Sequence, residues 1–231
     1  MHYFYAQNIA KDLIILDESE TRHATKVLRL RVGDPLCILD GRGNTYDCRL
    51  IQTGGSLSVA QIQSMEHHPP PTKATLGIAL APTKSTDRFE WFLEKATELG
   101  VVEIIPLLCN RSERKHFNFS RAHNIIISAM KQSGRFYAPV LHNMTPFEKY
   151  VGSGIEGGKY IAHCMNQEGG FVTSVWEKTM RRTVLIGPEG DFTENEITFA
   201  IQNQWKPIRI GDFRLRTETA GVAVAALALN T

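Results

Sequence analysis

Apolar and polar positions along the 231 residues fall into two rhythms. Up to residue 70 the apolar runs are short and β-prone: Leu13-Ile-Ile-Leu16, Pro35–Leu39, Tyr46–Ile51 and Ser56–Ile62. Turn signals at Gly33-Asp34, Asp40–Asn44 and Gly54-Gly55 separate them. Short strands at this spacing predict a small β-barrel. One helical turn at Thr21–Leu30 interrupts it. His67-His-Pro-Pro-Pro71 can continue neither a helix nor a central strand, so it reads as a stiff connector. The pattern therefore predicts one domain over residues 1–70 and a second over 73–231.

Beyond the prolines the period changes. Ala74–Leu80 reads as a buried strand. A helix follows over Asp87–Leu99, with Phe89, Phe92, Leu93, Ala96 and Leu99 on one face. Asp87 with Glu90 resembles a capping box, and Gly100 suits its end. Next come a strand (Val101–Leu108), a helix (Ser120–Ser133) and two strands (Tyr160–Cys164 and Thr183–Gly187). A helix from Thr193, a strand at Pro207–Ile210 and a helix over Glu218–Leu229 complete the series. This alternation predicts an α/β domain whose parallel sheet is covered on both faces. The last helix is apolar nearly all round, which predicts burial by its own domain and a second subunit.

Composition narrows the class. Hydrophobic residues make up 42% and charged residues 22%, as in an ordinary globular chain, which excludes disorder and a disulfide-stapled miniprotein. The net charge of +2 is too small for non-specific nucleic-acid affinity, so RNA binding would rest on local patches. Thr21–Val32 carries Arg22, Lys26, Arg29 and Arg31 with no acid, and Arg111–Arg135 carries six basic residues against Glu113 alone. No apolar run approaches a bilayer span and the first residues lack signal-peptide character, so a cytoplasmic protein without a membrane segment is expected. Four scattered cysteines and eight histidines show no zinc-type spacing, so no metal is expected.

Two segments can carry chemistry. Leu185-Ile-Gly-Pro-Glu-Gly-Asp-Phe-Thr runs from a strand through two glycines into a helix capped by Thr193, with Glu196 three residues on. Such a loop lets backbone groups approach a ligand, although the same residues suit a plain strand-to-helix turn. Ile210-Gly-Asp-Phe-Arg-Leu-Arg-Thr-Glu-Thr-Ala220 places Arg214 and Arg216 before the apolar helix. A guanidinium there needs a partner: a ligand, or an internal pair with Glu189 or Glu218. Neither a phosphate-binding P-loop nor Gly-x-Gly-x-x-Gly is present.

Taken in order, Glu94–Val101, Arg111-Ser112, Met130–Arg135, Ile186–Gly190 and Leu215–Ala220 resemble the RsmE family of 16S ribosomal RNA uridine-N3 methyltransferases, of the SPOUT class. Val27–Asp34 resembles that family's PUA-like barrel. The resemblance implies a C-terminal SPOUT domain with a trefoil-knotted parallel sheet. It also implies homodimerisation, S-adenosyl-L-methionine as cofactor, and the 16S rRNA of the small ribosomal subunit as partner. Carried over by position, the cofactor residues are Leu80, Ala81, Ile186, Gly187, Pro188, Glu189, Gly190, Ile210, Gly211, Leu215 and Thr219. Arg216 would stabilise charge on the uracil, with Glu189 or Glu218 orienting it or taking the proton. Arg22, Arg29, Arg111 and Arg135 would face RNA. The chain departs from the family at Asp191, where a second glycine is usual, at Phe213, which stands at a usual arginine, and at Asn110, where glutamate is common. A non-catalytic RNA-binding protein and a nucleotide-dependent hydrolase are the alternatives.

Overall fold

The computed structural model describes residues 2–70, 75–164, 170–176 and 181–228. Pro71, Lys73, Ala74 and Leu229, which the sequence places in the connector, the first buried strand and the last helix, lie outside them. Two compact units emerge: Met1–Pro70 with Ile127–Ala138, and Pro71–Ile126 with Pro139–Thr231. A single boundary at the prolines does not anticipate the return of Ile127–Ala138 to the first unit.

The first unit is built on β1 (Tyr3–Tyr5), β2 (Leu13–Leu16), β3 (Pro35–Leu39), β4 (Asn44–Gln52) and β5 (Ser58–His67). They form one sheet in the order β1-β3-β4-β5-β2, with β1 parallel to β3 and the other pairs antiparallel. Alternation sets the core: Ile14 and Leu16 of β2 are fully buried beside Phe4, Ile38, Leu50 and Ala60, while Leu13 and Ile15 point outward. Helix α1 (Glu18–Arg22) starts earlier than the sequence suggests, because Asp17 caps it by accepting the Glu20 N–H at 2.8 Å. It runs into a π-helical turn, His23–Val27. A second apolar cluster joins Leu39 and Tyr5 to Ile127, Met130 and Phe136. The Glu20–Lys131 ion pair adds to it, and the Tyr137 hydroxyl donates to the His68 carbonyl at 2.8 Å.

The second unit contains β6 (Thr75–Leu80), α2 (Thr86–Glu98), β7 (Glu103–Leu108), the start of α3 (Phe119–Ser133), β8 (Val140–Leu141), β9 (Thr145–Pro146) and α4 (Phe147–Val151). It continues with β10 (Gly158–Ala162), β11 (Gly170–Phe171), α5 (Val172–Val175), β12 (Arg181–Ile186), α6 (Glu194–Gln202), β13 (Lys206–Arg209) and α7 (Thr217–Ala228). The strand order is β11-β13-β10-β12-β6-β7-β8, with β9 also beside β7, and each pairing is parallel. One face packs Ala79, Leu107 and Leu185 against Phe147 of α4 and Ile197 and Ala200 of α6. On the other, Leu80 meets Phe92 of α2 and Gly221 of α7.

Two local expectations change. Ser85, without a side-chain bond, precedes α2, and Glu90 is drawn away from a capping box to Arg121 at 2.8 Å. At the start of α7 the Thr217 hydroxyl donates to the Gly187 carbonyl at 2.9 Å. Only one side of α7 is buried in the chain, through Ala220, Gly221, Val224 and Ala225; Val222, Ala223, Ala226 and Leu227 stay half-exposed. No helix among the described residues is long and apolar enough to cross a membrane.

Candidate active site

Strands β13, β10 and β12 lie side by side, and a cavity of about 610 Å³ opens where they end. Its walls are Ala162–Cys164 after β10, Ile186–Glu189 with Asp191 after β12, and Ile208–Thr217 with Ala220 around the passage from β13 into α7. Ligands of parallel α/β sheets bind at this end, and the volume is that of a small-molecule site. Ile186, Ile208, Ile210 and Leu215 give it apolar residues, and Gly187 and Gly211 of the two glycine-bearing loops lie on its wall.

The loop after β12 is wired at nearly every peptide. A Cβ at Gly187 would stand 3.2 Å from the Phe192 ring and backbone nitrogen, so a side chain there would press on the turn. The Pro188 carbonyl accepts the Asp191 N–H at 2.9 Å, closing a turn. Asp191 has φ +63°, the left-handed region that aspartate tolerates better than most residues and glycine tolerates best. In exchange, the Asp191 carboxylate accepts the Phe192 N–H at 2.8 Å and the Cys164 N–H at 2.9 Å, joining the loops after β12 and β10. Glu189 accepts the Lys84 N–H at 2.9 Å through its carboxylate, and Arg214 at 2.9 Å through its carbonyl. Thr193 and Glu196 form the expected capping box of α6.

Residues 69–229 match the RNA methyltransferase domain family, and residues 16–62 match the RNA methyltransferase PUA domain. The chain belongs to the RsmE-type RNA methyltransferases. A Rickettsia conorii protein called ribosomal RNA small subunit methyltransferase E is 27% identical over 92% of this chain and 87% of its own length. A probable rRNA-methyltransferase from Porphyromonas gingivalis superposes with a TM-score of 0.90 at 32% identity, covering 97% of this chain and 95% of that one. Ribosomal RNA small subunit methyltransferase E from Neisseria gonorrhoeae, solved bound to S-adenosyl methionine, gives a TM-score of 0.85 at 26% identity, covering 98% and 95%.

Within this methyltransferase the expected cofactor residues separate into two groups. Ile186, Gly187, Pro188, Glu189, Ile210, Gly211 and Leu215 line the cavity. Leu80 and Ala81 are fully buried behind it, Ala81 donating its N–H to the Ile186 carbonyl at 3.0 Å. Gly190 turns away from the cavity toward Arg111, and Thr219 is exposed on α7. Of the catalytic candidates, Arg216 and Glu189 line the cavity. Glu218 does not: it is buried on the α2 side, 3.7 Å from Arg88. No hydrogen bond or ion pair engages the Arg216 guanidinium among the described residues, so the internal Arg216–Glu pair is not formed.

Of the four arginines expected to face RNA, Arg22, Arg29 and Arg135 belong to the first unit. Arg22 is exposed, 3.7 Å from Glu18, and Arg29 is exposed at φ +57°. Arg135 is half-buried, and burial pushes its guanidinium pKa down. Arg111 belongs to the second unit, with its guanidinium on main-chain carbonyls. Sequence reasoning missed His163, Cys164, Asp191 and Arg209 as wall residues. The strand at Tyr160–Cys164 was the available signal, since whatever follows it must border the same edge. Arg209 lies over the Phe171 ring at 4.6 Å, and Phe213 is 86% exposed at the cavity rim.

Proposed function

We propose that this protein methylates N3 of one specific uridine in the 16S rRNA of the small ribosomal subunit, using S-adenosyl-L-methionine. The supporting observation is the cavity: two glycine-bearing loops and the Arg216 guanidinium, which has no partner among the described residues, converge at the ends of β10, β12 and β13. The fit to the cofactor is good, because apolar residues on the wall suit an adenine ring and the two wall glycines carry no side chain to obstruct it. Ile186, Ile210 and Leu215 with the Gly187 and Gly211 backbones would hold it. S-adenosylmethionine supplies an electrophilic methyl group on a sulfonium.

The chain's own residues have the other half of the work. Uridine N3–H is protonated at neutral pH and engaged in any base pair, so an extruded or single-stranded base is required. Arg216 stabilises negative charge developing on a uracil oxygen. Glu189, which lines the cavity and is held by the Lys84 N–H, accepts the N3 proton or orients Arg216 in this reading. Glu218, behind the wall, has neither role. Arg22, Arg29 and Arg135 offer cationic contacts for RNA from the PUA unit. The half-exposed apolar side of α7 supports a homodimer, and the resemblance supports a trefoil knot in the sheet and a cytoplasmic ribosomal substrate.

Arg216→Ala tests the assignment: turnover should fall at least about a hundredfold while S-adenosylmethionine affinity stays within about twofold. Equal loss of both would place Arg216 among the cofactor contacts and remove it from the chemistry.

A further inference from the structure

The stretch that follows β7, Asn110–Arg114, touches the loop after β12, which lines the cavity, and the Thr83-Lys84 segment after β6, which holds that loop through Glu189. We propose that Arg111 and Arg114 are positioning residues that hold these loops in their binding conformation, and that neither serves primarily as an RNA phosphate contact. The inference rests on reading the cavity as the cofactor site.

Arg111 Nη1 donates to the Gly190 carbonyl at 2.9 Å and reaches the Phe192 carbonyl at 3.4 Å. Its aliphatic stem lies along Gly190, where an added Cβ would stand 3.5 Å from Arg111 Cβ and Cδ. The amide ends of the same two peptides are also held. The Asp191 N–H donates to the Pro188 carbonyl at 2.9 Å, and the Thr193 N–H to Glu196 at 2.8 Å. Each peptide plane is therefore fixed from both sides, because a trans peptide points its C=O and N–H in opposite directions. Glu196, itself buried, accepts the Asn110 N–H at 2.8 Å and so anchors the stretch that carries Arg111.

Arg114 repeats the device on the other loop. Its Nε donates to the Thr83 carbonyl at 2.8 Å and its Nη2 to the Lys84 carbonyl. The Lys84 N–H is the donor that holds Glu189, and the Lys84 ammonium pairs with Glu113 at 2.8 Å. A planar, permanently charged fork that grips carbonyls is suited to arginine and poorly reproduced by lysine. The two guanidiniums thus set main-chain directions before a ligand arrives, which lowers the ordering cost of binding.

The test compares wild type, Arg111→Ala, Arg111→Lys and Arg114→Ala as full chains. Calorimetry gives S-adenosylmethionine affinity, methyl transfer gives kcat and KM, and filter binding to a 16S rRNA fragment is measured over a salt series. Each alanine variant should raise Kd and KM for S-adenosylmethionine about tenfold, and Arg111→Ala should keep kcat at saturation within about twofold. RNA affinity and its salt slope should be unchanged, and Arg111→Lys should recover only part of the loss. Should Arg111→Ala fail to fold, Arg111→Gln, which keeps one donor, should show the same KM effect. Unchanged cofactor affinity overturns the proposal. So does a fall in RNA affinity with a salt slope smaller by about one, the signature of a lost phosphate contact. A wild-type chain that binds no S-adenosylmethionine overturns instead the reading of the cavity on which the proposal rests.

Discussion

Gly221→Ala is a small change whose sign separates two accounts of α7. An ideal Cβ at this position would lie 2.5 and 2.7 Å from Phe92 Cε2 and Cδ2 and 2.9 Å from Leu80 Cδ1. Phe92 and Leu80 are both fully buried, so neither ring nor methyl can swing into solvent. Either α7 lifts from α2 or Phe92 leaves its rotamer, and overpacking of this kind costs about 1–3 kcal/mol. Alanine recovers about 1 kcal/mol of helix propensity, and three contacts below 3.0 Å put the steric cost near its upper end. The net loss is about 1–2 kcal/mol. Trp91, Trp176 and Trp205 are the chain's three tryptophans, all in the second unit, so their fluorescence follows that unit alone during urea unfolding. The midpoint should fall with an unchanged slope. A rise in midpoint, as expected at an exposed helical glycine, would refute the close α2–α7 packing.

Other consequences follow from the same wiring. Thr217→Val keeps the shape but leaves the buried Gly187 carbonyl unpaired, costing about 1–3 kcal/mol by the same assay and weakening S-adenosylmethionine binding; no change in either would remove the inter-loop bond from the account. Asp191→Gly loses the carboxylate bonds but keeps the left-handed turn, so it should be more stable than Asp191→Ala by about 1 kcal/mol, and equal stability would count against strain there. Among the thiols, exposed Cys164 should react first with iodoacetamide, although burial and then the Asp191 carboxylate raise its pKa, so that its rate climbs from pH 8 upward as thiolate accumulates. Cys48, pushed up to about 12 chiefly by burial, and buried Cys109 should lag, and S-adenosylmethionine should protect Cys164; labelling of Cys164 unaffected by cofactor would take it out of the cavity wall.

Features with short-range causes were legible in the sequence. Thr193 and Glu196 are three residues apart and cap α6 without outside help. Asp87 and Glu90 have the same spacing, but Arg121, distant in sequence, takes the Glu90 carboxylate at 2.8 Å. The glycines at 187 and 211 could be recognised as loop residues, since backbone access is a local property. Which carboxylate faces the cavity could not: Glu218 turns toward Arg88 because α7 packs on α2, a long-range outcome. Arg111 looks in sequence like part of a basic run, and only the folded loop after β12 brings two carbonyls to it. Strand β1, three residues with two tyrosines, is too short for its periodicity to register, and exists through its parallel pairing with β3.

The central claim is methyl transfer to one uracil nitrogen. Small ribosomal subunits from cells lacking the enzyme, incubated with the protein and tritiated S-adenosylmethionine, give the most direct reading when the labelled nucleotide is mapped. The account predicts about one methyl per subunit, on N3 of a single uridine in 16S rRNA, and none with Arg216→Ala. Label on another atom or another base, or cofactor binding with no transfer to any subunit RNA, would contradict it.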